Sequence, residues 1–103
     1  IFKNNNNFEK NNVEYSKGKI KLYSKINFNK NMNYIDYGLS IFNKNVFKDY
    51  QIGQNFDIAD LMEQLSSYDS LSCFKTNKRF YEIGSMKGYH ELCQEYNING
   101  NKI

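Results

Sequence analysis

Glu82 is the acidic residue whose surroundings in the sequence most need an explanation. It lies in RFYEIGSMKGYHE (79–91), inside an aromatic and aliphatic run that predicts a buried strand ending at Gly84-Ser85. An ionised carboxylate in an apolar layer is costly unless a charge or several hydrogen bonds compensate it. Because ligands and metals bind at the carboxyl ends of strands beside helix N-termini, Glu82 is a candidate ligand residue. The alternative is that strand alternation turns it outward, to pair with Arg79 or a lysine.

Two other groups of residues have side chains that could do chemistry. His90 and Cys93 share a predicted helical face, and Cys73 would add a third zinc-ligating side chain. Zinc sites usually have four ligands at tighter spacing, so we expect Cys93 in the core and His90 on the surface. A cluster of acids near a predicted helix start is explained better by the helix dipole than by function: Asp57, Asp60 and Glu63.

The first half of the chain predicts mainly strands. The NNNN stretch (4–7) is typical of a solvated loop. NVEYSKGKIKLYSK (12–25) alternates apolar and polar residues around a turn, which predicts a β-hairpin. The near-continuous apolar run 34–42 predicts a central strand buried on both faces, and 43–50 predicts a short helix or turn with Asn43 as N-cap.

The second half predicts two helices and two short strands. Apolar residues at helical spacing follow Asp57, the expected N-cap: Ile58, Leu61, Met62 and Leu65. LSCFKT (71–76) and RFYEIG (79–84) are predicted strands. Ser85 is the expected cap of a last helix that frays into NINGNKI, and its face is formed by Tyr89, Leu92, Cys93 and Tyr96. This order of elements predicts an α/β fold with helices on the faces of a sheet.

Composition limits the class of protein. The 103 residues, 40% of them hydrophobic, suffice for one small domain, and we expect residues 1–103 to form one domain or part of one. A net charge of +3 without a basic block favours neither nucleic acid nor a membrane surface as partner. No apolar stretch approaches the length of a membrane span, and the two cysteines have no paired spacing, which predicts a soluble, cytoplasmic protein. The chain starts at Ile1 without an initiator Met, so we expect it to be a fragment of a longer protein.

Three motifs in order, MNYIDYGLSIF, FDIADLMEQL and RFYEIGSMKGY, resemble the carboxyl-terminal half of the sugar-phosphate nucleotidyltransferases. The resemblance is nearest to the mannose-1-phosphate and heptose-1-phosphate guanylyltransferase branch, and it covers nearly the whole chain. The resemblance implies that this chain folds as the carboxyl-terminal half of a Rossmann-like mixed-sheet domain. The implied reaction joins a sugar 1-phosphate to a nucleoside triphosphate and releases pyrophosphate.

The resemblance also implies roles for individual residues. Glu82 matches the family's acidic ligand of the catalytic Mg²⁺, and Lys25 matches a lysine that meets the sugar phosphate. Asp36 and Gly38 match positions beside the sugar. The chain departs from the family pattern where Glu82 replaces an Asp, Ser24 replaces a sugar-binding Glu, and Met86 replaces a Pro. The glycine-rich triphosphate loop of the family's amino-terminal half has no counterpart here, so we expect this chain alone to be inactive.

Two alternatives to an enzyme fragment remain open. Aromatic residues make up 17% of the chain and are interleaved with lysines, as in sheets that bind single-stranded nucleic acid. No RNA-recognition signature accompanies them. The other alternative is a non-catalytic assembly module that completes a partner chain's sheet, which would show as self-association or pairing.

Overall fold

The computed structural model describes residues 1–4 and 9–96. The predicted hairpin is confirmed: β2 (Val13–Ser16) and β3 (Lys19–Tyr23) pair in antiparallel register. The two residues that connect them, Lys17 and Gly18, both have positive φ, at 50° and 81°. A two-residue hairpin loop with positive φ at both positions matches the twist of the flanking strands, and this fixes the register.

Two further strands complete a four-stranded sheet in the order β1-β4-β2-β3. β1 (Phe2–Lys3) and β4 (Tyr34–Ile35) are each only two residues long. β2 is antiparallel to both of its neighbours, β3 and β4. β3 and β4 therefore run in the same direction, and their carboxyl ends meet at one edge of the sheet, beside the beginning of β2.

The first helix, α1 (Ile58–Ser67), packs on β3, and Asp57 caps it as predicted by accepting a hydrogen bond from the Ala59 amide at 2.8 Å. Its apolar face and the hairpin form the core, whose buried members are Val13, Ile20, Tyr23, Ala59 and Met62. Ser66 on α1 also accepts a hydrogen bond from the Tyr23 amide at 3.0 Å. The hydrophobic periodicity of α1 therefore identified the helix, but its buried side only in part: Leu61 and Met62 are buried, whereas Ile58 is exposed and Leu65 is half-buried.

Two other capping predictions are confirmed. Asn43 caps a short 3₁₀ helix, η1 (Lys44–Phe47), and Ser85 caps α2 (Met86–Glu95) by accepting from the Gly88 amide at 3.0 Å. α2 buries none of its residues fully, so its predicted apolar face is only partly covered. The predicted fraying of NINGNKI lies outside the described residues, as does most of the NNNN loop.

Of three further predicted strands, one forms only in part and two do not form. Only Tyr34–Ile35 of the run 34–42 is a strand, and the segment from residue 36 to residue 43 has no regular structure. Segments 71–76 and 79–84 are also irregular, apart from an isolated parallel bridge between Thr76 and Phe2. A strand needs a hydrogen-bonding neighbour along its length, and within the described residues β1 and β2 offer 34–42 a partner only at its first two positions.

The chain is thus a small protein of mixed α and β structure, as predicted, with an antiparallel four-stranded sheet and two α-helices within the described residues. Among those residues no helix is both long and apolar enough to cross a bilayer.

Stability should depend on pH in the alkaline range through Tyr23. Burial, followed by smaller effects of the Asp36 and Asp57 carboxylates, raises the pKa of Tyr23 to about 12. The folded state disfavours the phenolate, so the neutral phenol of Tyr23 contributes to the free energy of unfolding. That contribution is complete below the ordinary tyrosine pKa of about 10 and is lost as the pH rises toward 12. We expect the melting temperature to fall over that range, and less so in Tyr23→Phe. Parallel curves for the two proteins would contradict this.

Candidate functional site

A polar cavity of about 500 Å³ lies at the sheet edge where β3 and β4 end. All four residues that the resemblance singled out border it: Lys25, Asp36, Gly38 and Glu82. These residues come from three separate segments of the chain. The structure therefore brings the predicted site residues together.

The strand directions explain this convergence. Lys25 comes two residues after β3, and Asp36 comes directly after β4, at strand ends that share one sheet edge. Val13, the first residue of β2, pairs with both Tyr23 and Tyr34, which ties the three strands together at that edge. Side chains that leave these strand ends therefore enter the same space.

Glu82 reaches the cavity by a route that the sequence did not predict. It is exposed and lies in an irregular segment, so the expectation of a buried strand acid is wrong. Pairing with Arg79 is not seen either, because the Arg79 guanidinium pairs with the Glu91 carboxylate of α2. The segment is held by Phe80, whose ring meets Tyr37 edge to face with 5.0 Å between ring centroids.

Asp36 and Gly38 form a tight turn at the mouth of the cavity. The Gly38 amide donates a hydrogen bond to Asp36 Oδ1 at 3.2 Å, and Gly38 has φ +79°. No protein atom lies within 4 Å of the position that a Gly38 Cβ would take. Gly38 is therefore required for its backbone conformation rather than for close packing against protein.

Asparagines, of which Asn12 is half-buried and two others are buried, hold the chain on this side of the cavity, and their roles were not predicted from the sequence. Asn12 Oδ1 accepts from the Asp36 amide at 2.8 Å, which fixes the start of the turn. Asn4 and Asn11 are buried and bonded to each other at 2.9 Å, and Asn11 also donates to the Met32 carbonyl at 2.8 Å. Such side chains satisfy backbone groups that the short strands leave unpaired. An Asn-rich composition gave no signal of this, since Asn is equally typical of exposed loops.

Ser24 has a structural role. It is fully buried, and its hydroxyl donates to Glu63 Oε2 at 2.8 Å while it accepts from the Asn27 amide at 2.9 Å. Asn27 Nδ2 donates to the other Glu63 oxygen at 3.0 Å. Glu63 is therefore engaged in fixing the segment that carries Lys25, which the helix-dipole explanation did not anticipate.

The charges around the cavity include both signs. Lys10 joins Lys25, and Glu9 joins Asp36 and Glu82. Lys10 Nζ lies 4.3 Å from the centroid of the Phe28 ring, which places its ammonium group over an aromatic face. Three carboxylates against two ammonium groups leave a formal charge of −1, so a phosphate would enter most favourably together with a divalent cation.

The side chains at the cavity can be tested against the Mg²⁺ that the resemblance implies. Among residues 1–4 and 9–96, no three His, Cys, Asp or Glu side chains come together as a metal site. Mg²⁺ in phosphoryl-transfer sites commonly takes only one or two carboxylates and completes its shell with phosphate oxygens and water. Glu82 supplies one carboxylate donor of that kind, so the residues present are compatible with a Mg²⁺ that takes its other ligands from a bound phosphate and water.

The groups considered for zinc are separate from this cavity. His90 is exposed on α2, as predicted, whereas Cys93 is only partly buried. A hydrogen bond to Cys93 raises the pKa of the exposed Tyr89.

The aromatic side chains were also considered as a surface for stacking nucleic-acid bases. Phe47, Tyr50 and Phe56 form a cluster in which Tyr50 and Phe56 stack on each other with 4.0 Å between ring centroids. These rings therefore pack against one another instead of forming an open row.

A second, apolar cavity of about 560 Å³ adjoins the polar one, with which it shares the lining residues Tyr23, Asp36 and Tyr37, and we call it the apolar groove. Its lining includes core residues and three large side chains that are mostly exposed: Leu39 (82%), Ile41 (98%) and Phe74 (84%). Monomeric soluble proteins seldom expose several large apolar side chains next to one another. The groove is therefore a surface suited to further contacts.

The isolated chain should bind a hydrophobic dye and self-associate through the apolar groove. We expect the double variant Leu39→Ser, Ile41→Ser to lose most of both properties, because it removes two of the three mostly exposed apolar side chains of the lining. Ile52→Ser is the matched control, since Ile52 is fully exposed but does not border the groove. Dye fluorescence and gel filtration measure the two effects. A monomer without dye binding would contradict the expectation.

Comparisons with protein-family models, curated proteins and solved structures found no significant match to this chain.

Proposed function

We propose that this chain is the sugar-phosphate-binding part of a nucleotidyltransferase that makes a nucleotide-sugar, with GTP as the nucleotide, for surface polysaccharide synthesis. The observation that carries the proposal is the convergence of Lys25, Asp36, Gly38 and Glu82 on one cavity. The resemblance assigns these four residues to three motifs that lie apart in the sequence. The proposed fold is the carboxyl-terminal half of a Rossmann-like mixed-sheet domain, whose other half would bind the triphosphate.

In the proposed reaction, an oxygen of the sugar phosphate attacks the α-phosphorus of the triphosphate. A new P–O bond forms, the bond to the β-phosphate breaks, and pyrophosphate leaves with that electron pair. Both reactants are polyanions, so catalysis depends on positioning and on charge neutralisation. Lys25 would neutralise the sugar phosphate and Asp36 would orient a sugar hydroxyl. Glu82, with phosphate oxygens, would hold Mg²⁺, which supplies further charge neutralisation when bound.

The sugar-binding part of the proposal can be tested on the chain itself. Titration with mannose 1-phosphate and Mg²⁺, followed by amide signals in NMR, should shift Lys25 and Gly38. Lys25→Met should weaken binding about tenfold or more, because a charge-assisted contact is lost. Lys21→Met is the control, since Lys21 is an exposed lysine of β3 outside the cavity. Equal binding by both variants would count against the proposed role of Lys25.

The enzymatic part needs the coding sequence upstream of Ile1. A glycine-rich phosphate-binding loop there would support the proposal, and an immediate stop codon would argue against it. The complete polypeptide should then release pyrophosphate when given Mg²⁺, GTP and a sugar 1-phosphate, whereas the 103-residue chain should not. Release by the chain alone would contradict the division of the site between two halves.

The second candidate is a non-catalytic assembly module, and the exposed apolar groove favours it. Under this reading the groove receives a partner chain and the polar cavity has no substrate. The module should pair through the groove and show no response to mannose 1-phosphate.

A further inference from the structure

Gly88 lies in the first turn of α2, directly against the main chain of Glu82. A Cβ built on Gly88 would overlap the Glu82 carbonyl oxygen and lie 3.0 Å from its carbonyl carbon. It would also lie 3.3 Å from Ser85 Oγ. Backbone atoms cannot move aside as the end of a flexible side chain can, so only glycine fits at this position in the observed arrangement.

Backbone conformation does not explain this glycine. Gly18, Gly38 and Gly53 have positive φ, whereas Gly88 lies within a regular α-helix. Inside a helix glycine is among the least favourable residues. Close approach of α2 to Glu82 is the remaining structural reason for its presence.

The segment 80–82 is held between α2 and the turn that follows β4. On one side Gly88 meets the Glu82 main chain, and an ion pair to Glu91 joins Arg79, the residue just before the segment, to α2. On the other side the Phe80 ring packs against Tyr37, and both rings border the polar cavity. The distance between α2 and this segment therefore sets where the cavity wall stands.

We propose that Gly88 is a positioning residue of the polar cavity: its missing side chain lets α2 lie against Glu82 and so holds segment 80–82 in place as the cavity wall. The importance of this position for metal and phosphate binding rests on the proposed function. The positioning itself rests only on the packing of α2, segment 80–82 and Tyr37.

The test compares Gly88→Ala with Gln94→Ala, a change at an exposed position of the same helix. Helix propensity alone predicts that alanine stabilises the helix at Gly88. The steric argument predicts the opposite sign, a melting temperature lower by about 4 °C or more. The nuclear Overhauser contacts between the Tyr37 and Phe80 rings should be lost in Gly88→Ala and kept in Gln94→Ala.

A third measurement tests metal binding in the polar cavity itself, by the broadening of amide signals that paramagnetic Mn²⁺ causes. In the unsubstituted chain Mn²⁺ should broaden the amide signals of Gly38 and Glu82, and Gly88→Ala should abolish that selectivity. If the ring contacts respond as expected but the unsubstituted chain shows no broadening, Gly88 positions the wall and the metal role of Glu82 fails. A higher melting temperature with intact ring contacts would overturn the proposal. A lower melting temperature of Gly88→Ala with unchanged ring contacts and unchanged broadening would also overturn the proposal, because Gly88 would then affect stability alone.

Discussion

Glu82→Gln should lower turnover by about two orders of magnitude or more in the complete enzyme that the proposed function requires. The change keeps the size of the side chain but removes the charge with which Glu82 would hold Mg²⁺ between two polyanions. Each 1.4 kcal/mol or so of lost transition-state stabilisation is a tenfold loss of rate, and the charge of a metal site is worth several such steps. Higher Mg²⁺ concentrations should recover part of the loss, because the weakened site would again fill.

The measurement is the Mg²⁺ dependence of pyrophosphate release, taken beside the melting temperature of each variant. Asp60→Asn is the matched control, since Asp60 is an exposed acid of α1 outside the cavity. It should leave both rate and Mg²⁺ dependence unchanged. If Glu82→Gln also keeps its rate and Mg²⁺ affinity, Glu82 is not in the active site, and the strongest link of this chain to nucleotide-sugar synthesis is lost.

Met62→Ala should lower the free energy of unfolding by about 2–3 kcal/mol. Met62 is 6% exposed and belongs to the core cluster with Val13, Ile20 and Tyr23, so the change removes a large buried side chain between α1 and the hairpin. Truncation of buried methionines costs about 2–5 kcal/mol, and we expect the lower part of that range because Met62 also borders the apolar groove, which can relax or admit water. Urea unfolding measures the difference.

The control for Met62→Ala is Gln64→Ala, at an exposed position on the same helix. We expect its unfolding free energy to stay within about 0.5 kcal/mol of the unsubstituted chain. A cost below about 1 kcal/mol for Met62→Ala would mean that α1 does not depend on this face for its packing.

The elements that the sequence determined are those whose signals are local. The hairpin follows from alternation around Lys17-Gly18, and α1 follows from helical spacing of apolar residues after an Asp N-cap. Ser85 and Asn43 cap α2 and η1 because a short polar side chain can reach an amide two or three residues ahead. Each of these interactions spans a few residues, so a single stretch of sequence contains all of its partners.

Strands depend on partners elsewhere in the chain, and here the sequence misled. Residues 34–42 and 71–76 have the composition of buried strands, yet Leu39, Ile41 and Phe74 stand mostly exposed at the apolar groove. An apolar run shows that a segment favours burial, but it does not show which surface receives it. The tertiary structure decides that, through the neighbours that each segment actually has.

For the site, the sequence by itself supplied the residue types and a family resemblance, while the tertiary structure alone decided their arrangement. Lys25 and Asp36 share the cavity because β2 is antiparallel to both strands that precede them. Glu82 joins them from a segment without regular structure, placed by the packing of Phe80 on Tyr37 and by the approach of α2 at Gly88. Such contacts join residues far apart in the chain, so no local pattern of residue types records them.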